Sequence, residues 1–149
     1  MKNYEYPNWL VSLEIAKELK EIGFDEHCMF VIDYTQYIEP FLVQHRNEGY
    51  NAVFYDEVRK LKYETIDKDL LDKIAIIPTW EQVFEWFRSK GYHGVIAVRY
   101  EDGDDEYSYR IEFLDELITD FNQDNPLTYE EAREALVKAL IRTYKNEQL

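Results

Sequence analysis

The sequence predicts an α+β fold, mainly an antiparallel sheet with helices on one face, in the order helix–strand–strand, helix–strand–strand, helix. Three observations carry that prediction. Three amphipathic segments begin at capping residues, and two of them stop at a glycine. Residues 95–113 alternate apolar and polar on both sides of an Asp-Gly pair, the pattern of a half-buried hairpin. Short β-branched and aromatic runs lie between the helices rather than alternating with them one for one. At 149 residues, 46% hydrophobic and 16% aromatic, the chain fits one domain over 1–149 with ample material for a core.

The first helix starts after Ser12, carries Leu13, Ile15, Ala16, Leu19 and Ile22 as a stripe, and ends at Gly23. Strands are expected at Met29–Tyr34 and Ala52–Val58. Between them Glu39-Pro40 argues against a continuing strand, while Phe41-Leu42-Val43 needs burial. Arg59–Lys73 reads as a charged surface loop with a short strand at Tyr63–Ile66. Ile74–Ile77 is an apolar run closed by Pro78. Thr79 and Gln82 then form a capping box that opens a helix with Trp80, Val83, Phe84 and Phe87 on one side and Gly91 at its end.

In the hairpin, Ile96, Val98 and Tyr100 share a core face with Tyr107, Tyr109, Ile111 and Phe113, and Arg99 and Arg110 point to the other. A two-residue Asp102-Gly103 turn pairs Arg99 with Glu106; a four-residue turn through Asp105 pairs it with Ser108. Both keep the same faces. Leu114–Phe121 reads as a short helix or irregular segment ended by Pro126. A second capping box, Thr128 with Glu131, opens the last helix, whose apolar face is Ala132, Ala135, Leu136, Ala139, Leu140 and Thr143. Its early acids and late bases follow the helix dipole. Both glycine-ended helices close on an apolar–base–x–x–Gly–aromatic run, Leu19–Phe24 and Phe87–Tyr92, a weak sign of α-β-β duplication over 12–58 and 79–113.

Charge is the strongest functional signal. Between Glu101 and Glu131 stand twelve carboxylates and one base, Arg110, so that window holds −11 of the net −14. A field of that sign repels nucleic-acid phosphates and attracts basic partners or cations. The candidate interaction residues are Asp102, Asp104, Asp105, Glu106, Asp115 and Glu116. The turn from Glu101 to Glu106 fails the calcium-loop pattern, which needs acids at alternate positions and a Glu at the twelfth. The three histidines (His27, His45, His93) and the single Cys28 offer no structural zinc spacing, and Cys28 reads as a small core residue. No Gly-rich phosphate loop or nucleophile elbow occurs, so no catalytic, cofactor or metal residue is assigned. Thirteen tyrosines exceed what one core can hold, and Tyr is favoured both in strands and at interfaces. One cysteine, no apolar leader and no run near the ~20 residues of a membrane span lead to the expectation of a cytoplasmic protein.

Ser12-Leu-Glu-Ile-Ala-Lys-Glu-Leu-Lys-Glu-Ile-Gly-Phe24, Gln82-Val-Phe-Glu-Trp-Phe-Arg88 and Thr128-Tyr-Glu-Glu-Ala-Arg133 together resemble a family of small uncharacterised bacterial proteins, often encoded in prophage-like or other mobile regions. The resemblance implies a mobile-element origin and carries over no activity and no site residue. The order from Thr79 to Lys145 also resembles the double-stranded-RNA-binding fold, but shows neither a third strand nor the basic surface that phosphate contact requires. The expected function is a non-enzymatic interaction module whose acidic 101–131 side binds a basic protein, with carboxylates standing in for nucleic-acid phosphates as its sharper form. The alternative is a small hydrolase or metal-dependent enzyme without a recognisable motif.

Overall fold

The computed structural model describes residues 6–35, 41–42, 63–65, 68–114, 116–121 and 127–148. The protein is α+β, and the described residues form two three-stranded antiparallel sheets. Its contacts divide the chain into two compact units, Met1–Gln82 and Val83–Leu149.

In the first unit α1 (Leu13–Glu21) is capped by the Ser12 hydroxyl, which accepts from the Ile15 N–H at 3.2 Å. Its exit closes with Phe24 N–H on the Leu19 carbonyl and Gly23 N–H on that of Lys20, which satisfies two carbonyls a helix end otherwise leaves open. The buried stripe Ile15, Ala16 and Leu19 faces a sheet in the order β2-β1-β3. Strand β1 (Phe30–Asp33) lies within the expected run, and β2 is the pair Phe41–Leu42. The Ile74–Ile77 run is β3, antiparallel to β1 with Val31 opposite Ile76 and Ile32 opposite Ala75. Its burial pattern is continuous, as expected of a strand covered on both sides. Tyr63–Thr65 forms a 3₁₀ turn instead of the expected short strand, followed by a one-turn helix α2 (Lys68–Leu71). The expected strand at 52–58, and with it the end of the first α-β-β segment, lies outside the described residues.

Helix α3 (Trp80–Ser89) begins at the Thr79–Gln82 capping box, with both reciprocal bonds formed at 2.9 and 3.2 Å. The second unit continues with β4 (Tyr92–Glu101), β5 (Asp104–Phe113), β6 (Glu116–Phe121) and α4 (Tyr129–Glu147), the sheet running β4-β5-β6. Thr128 and Glu131 form the second capping box at 3.0 and 3.1 Å. The hairpin takes the two-residue turn: Arg99 stands opposite Glu106 and Glu101 opposite Asp104, with positive φ at both Asp102 and Gly103. Right-handed strand twist favours this mirror-image turn over the longer one.

Leu114–Phe121 is therefore corrected from helix or irregular segment to a turn and a strand. β6 supplies the third strand, which gives the unit the order α-β-β-β-α. Of the two reasons to set aside the RNA-binding resemblance, the missing strand falls away and the acidic charge of residues 101–131, unsuited to phosphate contact, remains. Helix α4 covers the sheet face of Tyr92, Gly94, Tyr109 and Ile111, and sits so close that a Cβ on Gly94 would stand 3.0 Å from Leu136 Cδ2. Ile111, Leu136 and Leu140 are fully buried, each contributing about 1.5–3 kcal/mol.

The expected burial along the hairpin holds at its base and fails at its tip. Tyr109 and Ile111 are buried and Ile96 is half-buried, but Val98 is 59% and Tyr100 72% exposed. The reason is the reach of α4. The Tyr107–Leu127 bridge and the Tyr107–Tyr129 ring contact at 5.6 Å place the start of the helix beside Tyr107, and the last turn of strand projects beyond it. No helix among the described residues is long and apolar enough to cross a membrane.

Candidate interaction surface at the hairpin tip

Antiparallel pairing sorts the six sequence-selected acids into two places. Asp102, Asp104, Asp105 and Glu106 gather at the β4–β5 tip. Glu116 pairs with Phe113 at the far end of β5, and the preceding Asp115 lies outside the described residues. A ten-residue strand separates the two by roughly 30 Å. The structure thus brings four of the six together.

At the tip Asp102, Asp104 and Asp105 are exposed. Glu106 is half-buried and accepts from Arg99 at 2.9 Å, a cross-strand pair that the two-residue turn dictates. On the same sheet face Arg110 lies 3.6 Å from Glu112. Both bases of the hairpin are therefore engaged on the side away from α4, and no ion pair to Asp102, Asp104 or Asp105 exists among the described residues. The Tyr107–Leu127 bridge brings the first turn of α4, with exposed Glu130 and Glu131, to the same end. Hydrogen bonds from the Thr128 backbone N–H and hydroxyl hold the Glu131 carboxyl below its ordinary pKa.

On the α4 side of the tip lie Val98 and Tyr100, whose register partners are Tyr107 and Asp105. Tyr107 meets the half-exposed Tyr129 edge to face. Alternation alone assigns Val98 and Tyr100 to the core face. They belong instead to an exposed aromatic strip beside the carboxylates. Strand periodicity gives the face of a residue, whereas the reach of the covering helix is a tertiary fact.

Perturbed titratable groups elsewhere have structural explanations. Cys28 is buried in the first unit, its thiol weakly donating to the Glu26 carbonyl at 3.5 Å, and burial pushes its pKa well above the ordinary thiol value. Burial likewise raises Tyr63, whose hydroxyl accepts from the Ile76 N–H at 2.9 Å. Lys20 is lowered by desolvation, and its ammonium donates to the Leu71 and Ile74 carbonyls, tying α1 to the β3 region. Each group is already engaged by the backbone. His27 and His93 are exposed, and no group of three metal-ligating side chains occurs among the described residues. Native Cys28 should therefore resist alkylation at pH 8 and react at a free-thiol rate in denaturant, with Cys28→Ser leaving partner binding unchanged. Rapid alkylation of the folded protein would restore a nucleophilic role.

Comparison with protein-family models, with curated proteins and with solved structures finds no match to this chain.

Proposed function

We propose that the protein is a non-enzymatic interaction module, at work in a reducing compartment, whose acidic hairpin end binds a basic protein. In its sharper form, the carboxylates occupy a DNA-binding surface in place of phosphates. The observation that supports this most is the tip itself: Asp102, Asp104 and Asp105 are solvated, close together and without a base among the described residues, while Arg99 is committed to Glu106. Solvated turn carboxylates are poor acid–base catalysts, which need desolvated surroundings to shift their pKa. They are well suited to steering a basic partner.

Crowded like charge costs stability that salt returns. Raising ionic strength from about 0.01 to 0.15 M shortens the Debye length from about 30 to about 8 Å, and the melting temperature should rise over that range. The direct test is affinity capture from the native cell with wild-type chain and with Asp102→Asn/Asp104→Asn/Asp105→Asn as baits. Basic proteins should be retained by the first, released by moderate salt, and lost or about tenfold slower to associate with the second, since peripheral charge acts on the on-rate. Identical captures by a folded triple variant would remove the acidic tip from the function. Neutralising Asp115 and Glu116 separates the contribution of the second acidic group.

A further inference from the structure

The aromatic strip narrows the chemistry of the partner, resting on the acidic-surface reading. Tyr100, Val98, Tyr107 and Tyr129 form a continuous ledge from the turn to the first turn of α4. Asp105 shares the face of Tyr100 as its register partner, Asp102 sits in the turn, and Glu130 follows Tyr129 on the helix. An exposed phenol ring with a carboxylate next to it is a poor seat for most ligands. Single-stranded nucleic acid would stack on the rings, but its phosphates are repelled by the acids. An anionic membrane meets the same repulsion. A second copy would bring the same acids onto each other, in a chain of net charge −14.

A guanidinium satisfies both halves at once. It is planar and weakly hydrated, so it stacks on a ring while its N–H fork donates to a carboxylate, and its methylene stem can lie along Val98. Lysine, a compact and strongly hydrated charge, gains the Coulomb part and little of the stacking. Among the described residues a guanidinium lies over a ring, Arg133 at 5.5 Å from Tyr129, and lysine ammoniums (Lys17, Lys20, Lys90) lie over other rings, so the preference rests on the stacking and the carboxylate fork together. We infer that the ledge docks an arginine-rich segment of the partner, with guanidinium groups stacked on Tyr100 and its neighbours and paired to Asp102 and Asp105.

The test uses the full chain and two fluorescent peptides of about fifteen residues, identical except that every arginine of one is lysine in the other, titrated at low salt. The arginine peptide should bind about fivefold tighter, the size of one or two exposed cation–π contacts. Tyr100→Ala should abolish that difference and leave lysine-peptide binding unchanged, whereas Tyr100→Phe, which keeps the ring, should preserve it. Asp102→Asn/Asp105→Asn should weaken both peptides. Equal binding of the two peptides, or a silent Tyr100→Ala in a chain whose circular dichroism is native, overturns the arginine inference and leaves the acidic-surface reading standing. No binding of either peptide, or undiminished binding to the Asn variant, overturns both.

Discussion

Replacing Phe87 by alanine should destabilise the second unit by about 3–5 kcal/mol, the usual cost of emptying a buried phenylalanine site. Helix α3 has ten residues, too few to stand on propensity alone, so it is held by what it buries: Val83, Trp86 and Phe87. Phe87 is fully buried and meets Trp86 edge to face at 5.1 Å and Tyr144 at 6.2 Å. Tyr144 in turn touches Trp86 and Tyr92, and Tyr92 stacks on Phe113 at 4.7 Å. One ring thus lies in a cluster joining the first helix of the unit, the base of the hairpin and the end of α4. Phe87→Leu, which keeps most of the volume, should cost about 1.5 kcal/mol or less. Urea unfolding followed by tryptophan fluorescence and by far-ultraviolet circular dichroism measures both. A loss under 1 kcal/mol for the alanine variant would show that the cluster collapses around the void and does not hold the unit together.

That cluster also shows which parts of the structure were legible beforehand. Caps depend on a few adjacent residues, so Ser12, Thr79 with Gln82, and Thr128 with Glu131 announced three helix starts correctly. Alternation assigned Tyr109 and Ile111 to the buried face for the same local reason. Elements that depend on distant chain were not visible. Ile74–Ile77 is a strand because β1, more than forty residues earlier, pairs with it. β6 was hidden by its turn: Leu114 takes φ 51 where glycine, asparagine or aspartate would have signalled a hairpin. At the site, the acidic charge was plain from composition. The choice of turn then settled which acid is neutralised, because only the two-residue register places Glu106 opposite Arg99. The exposed Tyr100 was missed because nothing local to a strand reports where a helix thirty residues later begins.

The paired glycines of α1 and α3 allow backbone strain to be separated from packing. Gly23 and Gly91 both sit at φ +92, beyond the region an L-residue occupies without cost, and each follows its helix by the same apolar–base–x–x–Gly–aromatic run. Their surroundings differ. A Cβ on Gly23 would meet nothing within 4 Å, while one on Gly91 would stand 3.0 Å from Cε2 and 3.4 Å from Cδ2 of Phe113. Gly23→Ala should therefore cost only the strain, about 1–2 kcal/mol for a side chain forced to left-handed backbone. Gly91→Ala should cost that and a further 1 kcal/mol or so, because Phe113 is stacked on Tyr92 and cannot give way without opening the base of the hairpin. Denaturant midpoints of the two variants give the comparison. Equal losses would mean that Phe113 yields freely, and the ring stack at the hairpin base would then be a soft contact able to move with the strand that carries the tip.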